Sequence, residues 1–98
     1  MIENIISKRY AEALSASIDD EGLLHRALGN LKAFREAFDA DRQLGRFFSH
    51  PGISGEKKNT LARELCDRLQ VENVVRNLLT ILTQRQKILF LKNIADYF

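Results

Sequence analysis

The sequence predicts an all-α protein, a compact bundle of six helices that forms a single domain over residues 1–98. Apolar residues recur at spacings of three and four along most of the chain, which is the period of an amphipathic helix. No segment alternates β-branched and polar residues as a strand would. One proline and five glycines interrupt the 98 residues, and three of these six fall in segment 50–55, which is the clearest loop. A chain of this length fits one domain.

The first two helices are separated by an acidic run. We expect the first from about Ile2 to Ile18 and the second from about Glu21 to Phe38. The acidic segment 19–21 suits the start of the second helix, because carboxylates are favoured near a helix N-terminus. The expected apolar stripe of the first helix is Ile2, Ile5, Ile6, Tyr10, Ala13 and Leu14, and that of the second is Leu24, Ala27, Leu28, Leu31, Phe34 and Phe38.

The third and fourth helices flank the proline loop. The third is predicted from about Asp41 and ends at His50, because a residue before proline disfavours the α conformation. Ser54 is a suitable N-cap for the fourth helix, with Lys57 three residues later. The apolar stripes are Leu44, Phe47 and Phe48 on the third helix, and Leu61, Leu65, Cys66 and Leu69 on the fourth.

The last two helices are joined by a short link. The fifth is predicted from about Glu72 to Gln84 and the sixth from about Gln86. The apolar residues are Val74, Val75, Leu78, Leu79, Ile81 and Leu82 on the fifth, and Ile88, Leu91, Ile94, Ala95 and Phe98 on the sixth. Six helices with short connections are typical of a bundle.

The charge pattern argues against a nucleic-acid or lipid-binding surface. The chain has 15 basic and 13 acidic residues, a net charge of +2, with the two signs interspersed. On the fourth helix, basic residues including Lys57 and Lys58 stand among acids and are expected to form a solvated face. Arg76, Arg85, Lys87 and Lys92 are less opposed by acids. They leave open a small RNA-binding all-α domain, similar in outline to a transcription antitermination factor.

Location is predicted from what the sequence lacks. Cys66 is the single cysteine, so no disulfide can form within the chain. No apolar run approaches the roughly 18 residues that span a bilayer, and the start of the chain lacks the pattern of a secretory signal. We expect a chain that is mature from Met1, cytoplasmic, and without direct membrane insertion.

No residue pattern predicts catalysis, a cofactor or a metal. His25 and His50 have no ligand partners at suitable spacing, and His50 is expected to cap the end of the third helix. Cys66 lies on an apolar face with no base nearby, as a small buried residue would. Segment 52–57 lacks the spacing and the preceding strand of a phosphate-binding loop. We therefore expect a non-enzymatic domain.

The first and fifth helices are more apolar than one core requires. Their apolar residues spread over about 180° and about 160° of the helical wheel, whereas facing one core needs about 100°. Central helices surrounded by others would explain this. Alternatively, the two helices border an exposed groove that accepts an amphipathic partner helix. Small residues of the first helix, among them Ala11 and Ala13, would allow close approach.

Several short motifs resemble the ATP synthase delta subunit family, whose mitochondrial counterpart is the oligomycin-sensitivity-conferring protein. The first is Arg9-Tyr-Ala-Glu-Ala-Leu14, and the second is Leu44-Gly-Arg-Phe-Phe-Ser-His-Pro51, followed by Ile53 and Lys57. The third comprises Asn77-Leu-Leu79, Arg85 and the segment Leu89 to Phe98. Each motif is short, but their order and spacing together cover essentially the whole chain.

The resemblance implies a non-catalytic domain of the stator, or peripheral stalk. In the family this N-terminal domain grips the N-terminal helix of one alpha subunit of the catalytic head, through a groove between its first and fifth helices. The groove residues implied here are Tyr10, Ala13, Leu14, Ser17, Leu78, Ile81, Leu82 and Arg85.

The same resemblance implies where the domain lies and which subunits it is not expected to bind. The domain would lie peripherally on the cytoplasmic face of the inner (plasma) membrane as part of the ATP synthase, and would be soluble when isolated. In the family a further C-terminal region meets the b subunits. No part of these 98 residues corresponds to that region, so binding of b subunits is not expected of this domain.

Overall fold

Helices form almost all of the structure. The computed structural model describes residues 2–97, with the side chains of 5–91 and 93–97. Over residues 2–97 there are six α-helices and no strand, which confirms the predicted all-α fold and helix number. The helices are α1 (Ile2–Ala16), α2 (Glu21–Ala40), α3 (Arg42–Ser49), α4 (Gly55–Leu69), α5 (Asn73–Gln84) and α6 (Leu91–Tyr97), the last preceded by a 3-10 turn over Ile88–Phe90.

The core is built around α2, α5 and α6. Helix α6 packs against both α1 and α2, and α4 packs against α5. The predicted stripe of α2 supplies four buried residues, Ala27, Leu31, Phe34 and Phe38. Phe38 also meets Phe48 of α3, with ring centroids 5.8 Å apart. The radius of gyration, 12.7 Å, is close to the roughly 13 Å of a compact domain of about 100 residues.

Side-chain caps fix the starts of three helices. Asp20 accepts a hydrogen bond from the Gly22 N–H at 3.0 Å, which accounts for the acidic run before α2. The Asp41 carboxylate caps α3 in the same way. The Ser54 hydroxyl accepts from the Lys57 N–H at 3.2 Å, as predicted. Each cap satisfies an amide that has no partner within its own helix.

The buried face of α1 differs from the predicted stripe. Its buried residues are Ser7, Ala11 and Leu14, continued after the helix by Ile18, whereas Ile5 is 55% exposed. The small residues at 7 and 11 allow α1 to lie close to α6, its main neighbour. Of the predicted stripe, Leu14 is buried, Ile6 and Tyr10 are half-buried, and Ile5 and Ala13 are exposed. The side chain of Ile2, also predicted for this stripe, lies outside the described residues.

The sixth helix begins later than predicted, at Leu91 and not near Gln86. Gln86 has a left-handed backbone, with φ of 57°, which ends α5. The Lys87 N–H then donates to the Leu82 carbonyl at 2.7 Å, and the Ile88–Phe90 turn precedes α6. Periodicity could not reveal this because Ile88 is apolar and buried at helical spacing from Leu91.

Lys58 corrects the prediction of a fully solvated basic face on α4. It is 5% exposed and stands in line with the buried Ala62 and Cys66, at spacings of four. The aliphatic part of a lysine side chain can cover apolar surface in this way.

Candidate functional site

An open trough lies between α1 and α5. Helix α1 is held mainly by α6, and α5 mainly by α4, while α1 and α5 touch each other only lightly. The sides that these two helices turn towards each other are therefore not closed by packing. The result is a depression of about 400 Å³, which we call the α1/α5 groove.

The groove has an apolar floor and a mixed rim. Leu14 and Leu78 are 5% and 8% exposed and form the floor. Ile81 is 42% exposed, which is unusual for a large apolar side chain. The full lining is Tyr10, Ala13, Leu14, Ser17, Val74, Asn77, Leu78, Ile81 and Arg85.

Seven of the eight residues named from the family resemblance line this groove. The exception is Leu82, which is fully buried and belongs to the core. Val74 and Asn77 also line the groove but were not named. Their spacing to Leu78 and Ile81 follows the helical repeat, so extending the periodicity of α5 by one turn would have found them.

The wide apolar arc of α5 has two causes. Val75, Leu79 and Leu82 are buried at 1% exposure or less, so a central position in the bundle explains most of the arc. Ile81 projects from the remaining side, into the groove. Central packing therefore accounts for one part of the α5 arc, and exposure in the groove accounts for the other.

A second depression, of about 300 Å³, adjoins the groove and shares Tyr10, Ala13 and Arg85 with it. An Arg85 Nη1 atom donates to the Tyr10 hydroxyl at 3.4 Å and links α5 to α1 at this end. Arg9 and Lys87 complete the positively charged lining. The groove residues implied by the family resemblance include Arg85 but neither Arg9 nor Lys87.

The two histidines have different surroundings. His25 is exposed on α2. The backbone N–H of His50 caps α3, but its side chain does not bond the helix carbonyls. Instead its Nδ1 atom accepts from the Gly52 N–H at 2.9 Å. A Cβ at Gly52 would lie 2.8 Å from the imidazole Cε1, so a larger residue there would displace the exposed His50 ring from this position.

Cys66 is buried, and burial raises the pKa of its thiol, with Arg76 opposing this effect and Asp67 adding to it. Such a thiol stays protonated at neutral pH and is a poor nucleophile. Among the residues that the structure describes, no three His, Cys, Asp or Glu side chains are grouped as metal ligands would be. Within 2–97, no helix combines the length and the apolarity that crossing a bilayer requires.

Comparison with known protein families assigns the chain to one of them. A family model described as the ATP synthase delta (OSCP) subunit matches residues 6–98. The chain belongs to this family. Delta is a non-catalytic stator subunit, so membership confirms both the resemblance and the prediction of a domain that is not itself an enzyme.

Bacterial delta subunits align along the whole chain. It is 29% identical over 98 residues to ATP synthase subunit delta of Trichlorobacter lovleyi. It is 34% identical over 99 residues to that of Synechococcus sp. and 32% over 100 residues to that of Nitratidesulfovibrio vulgaris. These alignments cover 54%, 53% and 55% of the relatives, so the chain spans about half of their length.

Proposed function

We propose that this chain is the N-terminal helical domain of a delta-type subunit and that its α1/α5 groove docks the N-terminal helix of an ATP synthase alpha subunit. In this role the domain ties the catalytic head to the peripheral stalk and resists the torque of the rotor. The observation that supports the proposal most directly is an open apolar groove, with Ile81 exposed, in a member of the delta family.

The dimensions of the groove suit a short helix. Its α1 side runs from Tyr10 to Ser17 and its α5 side from Val74 to Arg85. At 1.5 Å per residue, eleven residue steps along α5 correspond to about 16 Å, or three helical turns. An amphipathic helix that presents an apolar stripe over three turns could cover Leu14, Leu78 and Ile81 together.

Mechanical coupling requires slow dissociation and no bond chemistry. In helix-in-groove complexes, a few desolvated apolar anchors carry most of the binding energy, and affinity differences lie mostly in the off-rate. Ile81 fits this role because its exposed surface would be buried by a docked helix. The domain would act at the cytoplasmic face of the membrane without entering it, and contacts with b subunits would belong to other parts of the subunit.

Ala13→Trp tests this role. Ala13 is exposed and lines both depressions, so an indole there would fill the groove from the solvent side without disturbing the core. Calorimetric titration with a peptide of the alpha N-terminal helix from the same organism should show tight binding to the unmodified chain. Ala13→Trp should weaken binding at least tenfold, which corresponds to about 1.4 kcal/mol.

Ala40→Trp is the matched control, since Ala40 is exposed at the end of α2 and does not line the groove. It should bind the peptide like the unmodified chain, and both variants should keep their melting temperature. Normal binding by a folded Ala13→Trp variant would show that the docking surface lies elsewhere. Failure of the unmodified chain to bind the peptide would refute the proposed function.

A further inference from the structure

The charged residues that line the α1/α5 groove and the depression adjoining it are all of one sign. Arg9, Arg85 and Lys87 line the two adjoining depressions, and none of the other described lining residues is a carboxylate. This contrasts with the chain as a whole, in which 13 acidic residues nearly balance 15 basic ones. The imbalance is therefore local to these two depressions.

These three cations form no ion pair within the described residues, unlike Arg26, Arg35 and Arg76. Arg26, Arg35 and Arg76 each contact a carboxylate, at 2.6, 2.6 and 2.7 Å. No ion pair joins Arg9, Arg85 or Lys87 to any carboxylate among the residues that the structure describes. Arg85 instead donates to the neutral Tyr10 hydroxyl. The charge at this end of the groove remains available to a ligand.

Stabilisation of the end of α5 does not account for the cluster. Cations near a helix C-terminus interact favourably with its dipole, and Arg85 and Lys87 directly follow α5. Arg9, however, lies in the middle of α1. The Arg85 side chain also extends across to α1, where it meets Tyr10. The cluster thus includes a residue of α1 and residues that follow α5.

We infer that the groove selects an amphipathic protein helix that carries carboxylates on its polar edge, placed over the Arg9, Tyr10 and Arg85 end. This inference rests on the proposed function and adds the charge and placement of the docked helix. Apolar contacts with Leu14, Leu78 and Ile81 would supply most of the affinity. The cations would accelerate encounter and fix which end of the helix lies beside Arg85, since complementary charge at an interface rim sets on-rate and register.

The test compares two peptides and three forms of the full 98-residue chain. One peptide is the alpha N-terminal helix from the same organism, and the other is the same peptide with every Asp and Glu replaced by Asn and Gln. The chain is used unmodified, as the Arg9→Gln, Lys87→Gln double variant, and as a Lys32→Gln, Arg63→Gln control. The control loses the same net charge at exposed positions outside the groove. Melting temperatures verify that all three forms fold.

The double variant should bind the acidic peptide about fivefold more weakly, as expected for two exposed charge pairs. The control should bind like the unmodified chain. Raising NaCl from about 50 mM to about 500 mM should weaken binding to the unmodified chain but hardly affect the double variant, because salt screens exposed charges. The neutralised peptide should bind the unmodified chain and the double variant equally.

Other outcomes would overturn the inference in distinguishable ways. If the acidic and neutralised peptides bind equally and the double variant binds like the unmodified chain, the inference fails and the proposed function stands. If neither peptide binds the unmodified chain, both fail. A single-stranded RNA of about 20 nucleotides that binds the unmodified chain but not the double variant would assign the cations to nucleic acid and overturn the inference.

Discussion

Two neighbouring residues of similar size on α5 have opposite environments. Ile81 is 42% exposed and lines the groove, whereas Leu82 is fully buried in the core. The family resemblance implied that both line the groove, and the sequence could not separate them because both fall within the wide apolar arc of α5. Only the positions of α1 and α4 around α5 separate an exposed groove residue from a core residue.

Ile81→Asp should therefore impair peptide binding, whereas Leu82→Ala should lower folding stability. We expect Ile81→Asp to melt near the temperature of the unmodified chain but to lose at least about 2 kcal/mol of binding to the alpha peptide, the size of a hot-spot loss. Leu82→Ala should lose about 2–5 kcal/mol of folding stability through a cavity. Denaturant unfolding and calorimetry on both variants provide the measurements. Unfolding of Ile81→Asp would instead identify Ile81 as a core residue.

Cys66 should behave as a protected thiol. Its raised pKa and burial predict slow reaction with a disulfide reagent at about pH 8 and rapid reaction after unfolding. A folded-state pKa above the unfolded value contributes stability below the unfolded pKa, and this contribution is lost as pH rises through the folded pKa. Stability should thus fall in the alkaline range, and Cys66→Ala should reduce that fall. Fast labelling of the folded chain would contradict the prediction.

At the scale of the elements, side chains of α2 hydrogen-bond to the residue at which α5 begins. Glu72 is the N-cap of α5 but makes no side-chain cap bond. Its backbone N–H donates to Asn30 Oδ1 on α2 at 2.9 Å, and its carboxylate accepts from Arg26 at 2.6 Å. A contact across 42 residues of sequence therefore helps to fix where α5 begins.

Asn30→Ala should cost about 1–2 kcal/mol of folding stability, since it leaves the partly buried Glu72 amide without its partner. Arg26→Ala removes the exposed ion pair to the same residue but keeps the amide bond, and should cost less than about 1 kcal/mol. Urea denaturation of both variants measures the difference. Equal losses would mean that the Asn30 bond contributes no more than the surface pair.

Across the whole molecule, the first and the last helix pack against each other. Helix α6 packs against α1 and α2, so it closes the core that the earlier helices leave open. Leu91 and Ile94 of α6 are fully buried. The groove depends on this arrangement indirectly, because α6 holds α1 in place beside α5.

Removing residues 91–98 should therefore abolish cooperative unfolding as well as peptide binding. Thermal circular dichroism should show residual helix that melts gradually, because a small domain without part of its core loses its all-or-none transition. The control is Asp96→Ala, which removes an exposed α6 ion pair to Arg35 and should shift the melting temperature only slightly. A sharp transition in the truncated chain would show that α6 is dispensable.

The sequence by itself determined the helical class, the number of helices and most of their bounds. It did so because these depend on local properties: the period of α2, the Ser54 cap and the proline after His50 each act within a few residues. The late start of α6 was missed, since the left-handed Gln86 is a glutamine and carries no turn signal.

The tertiary structure alone decided which apolar residues are core and which remain open. The groove exists because α1 and α5 are each held by a different neighbour, and no property of either helix encodes that choice. The same packing buries Leu82, exposes Ile81 and brings Arg9 of α1 to the end of α5 that carries Arg85. Burial depends on residues far apart in the chain, so it is fixed only when the helices assemble.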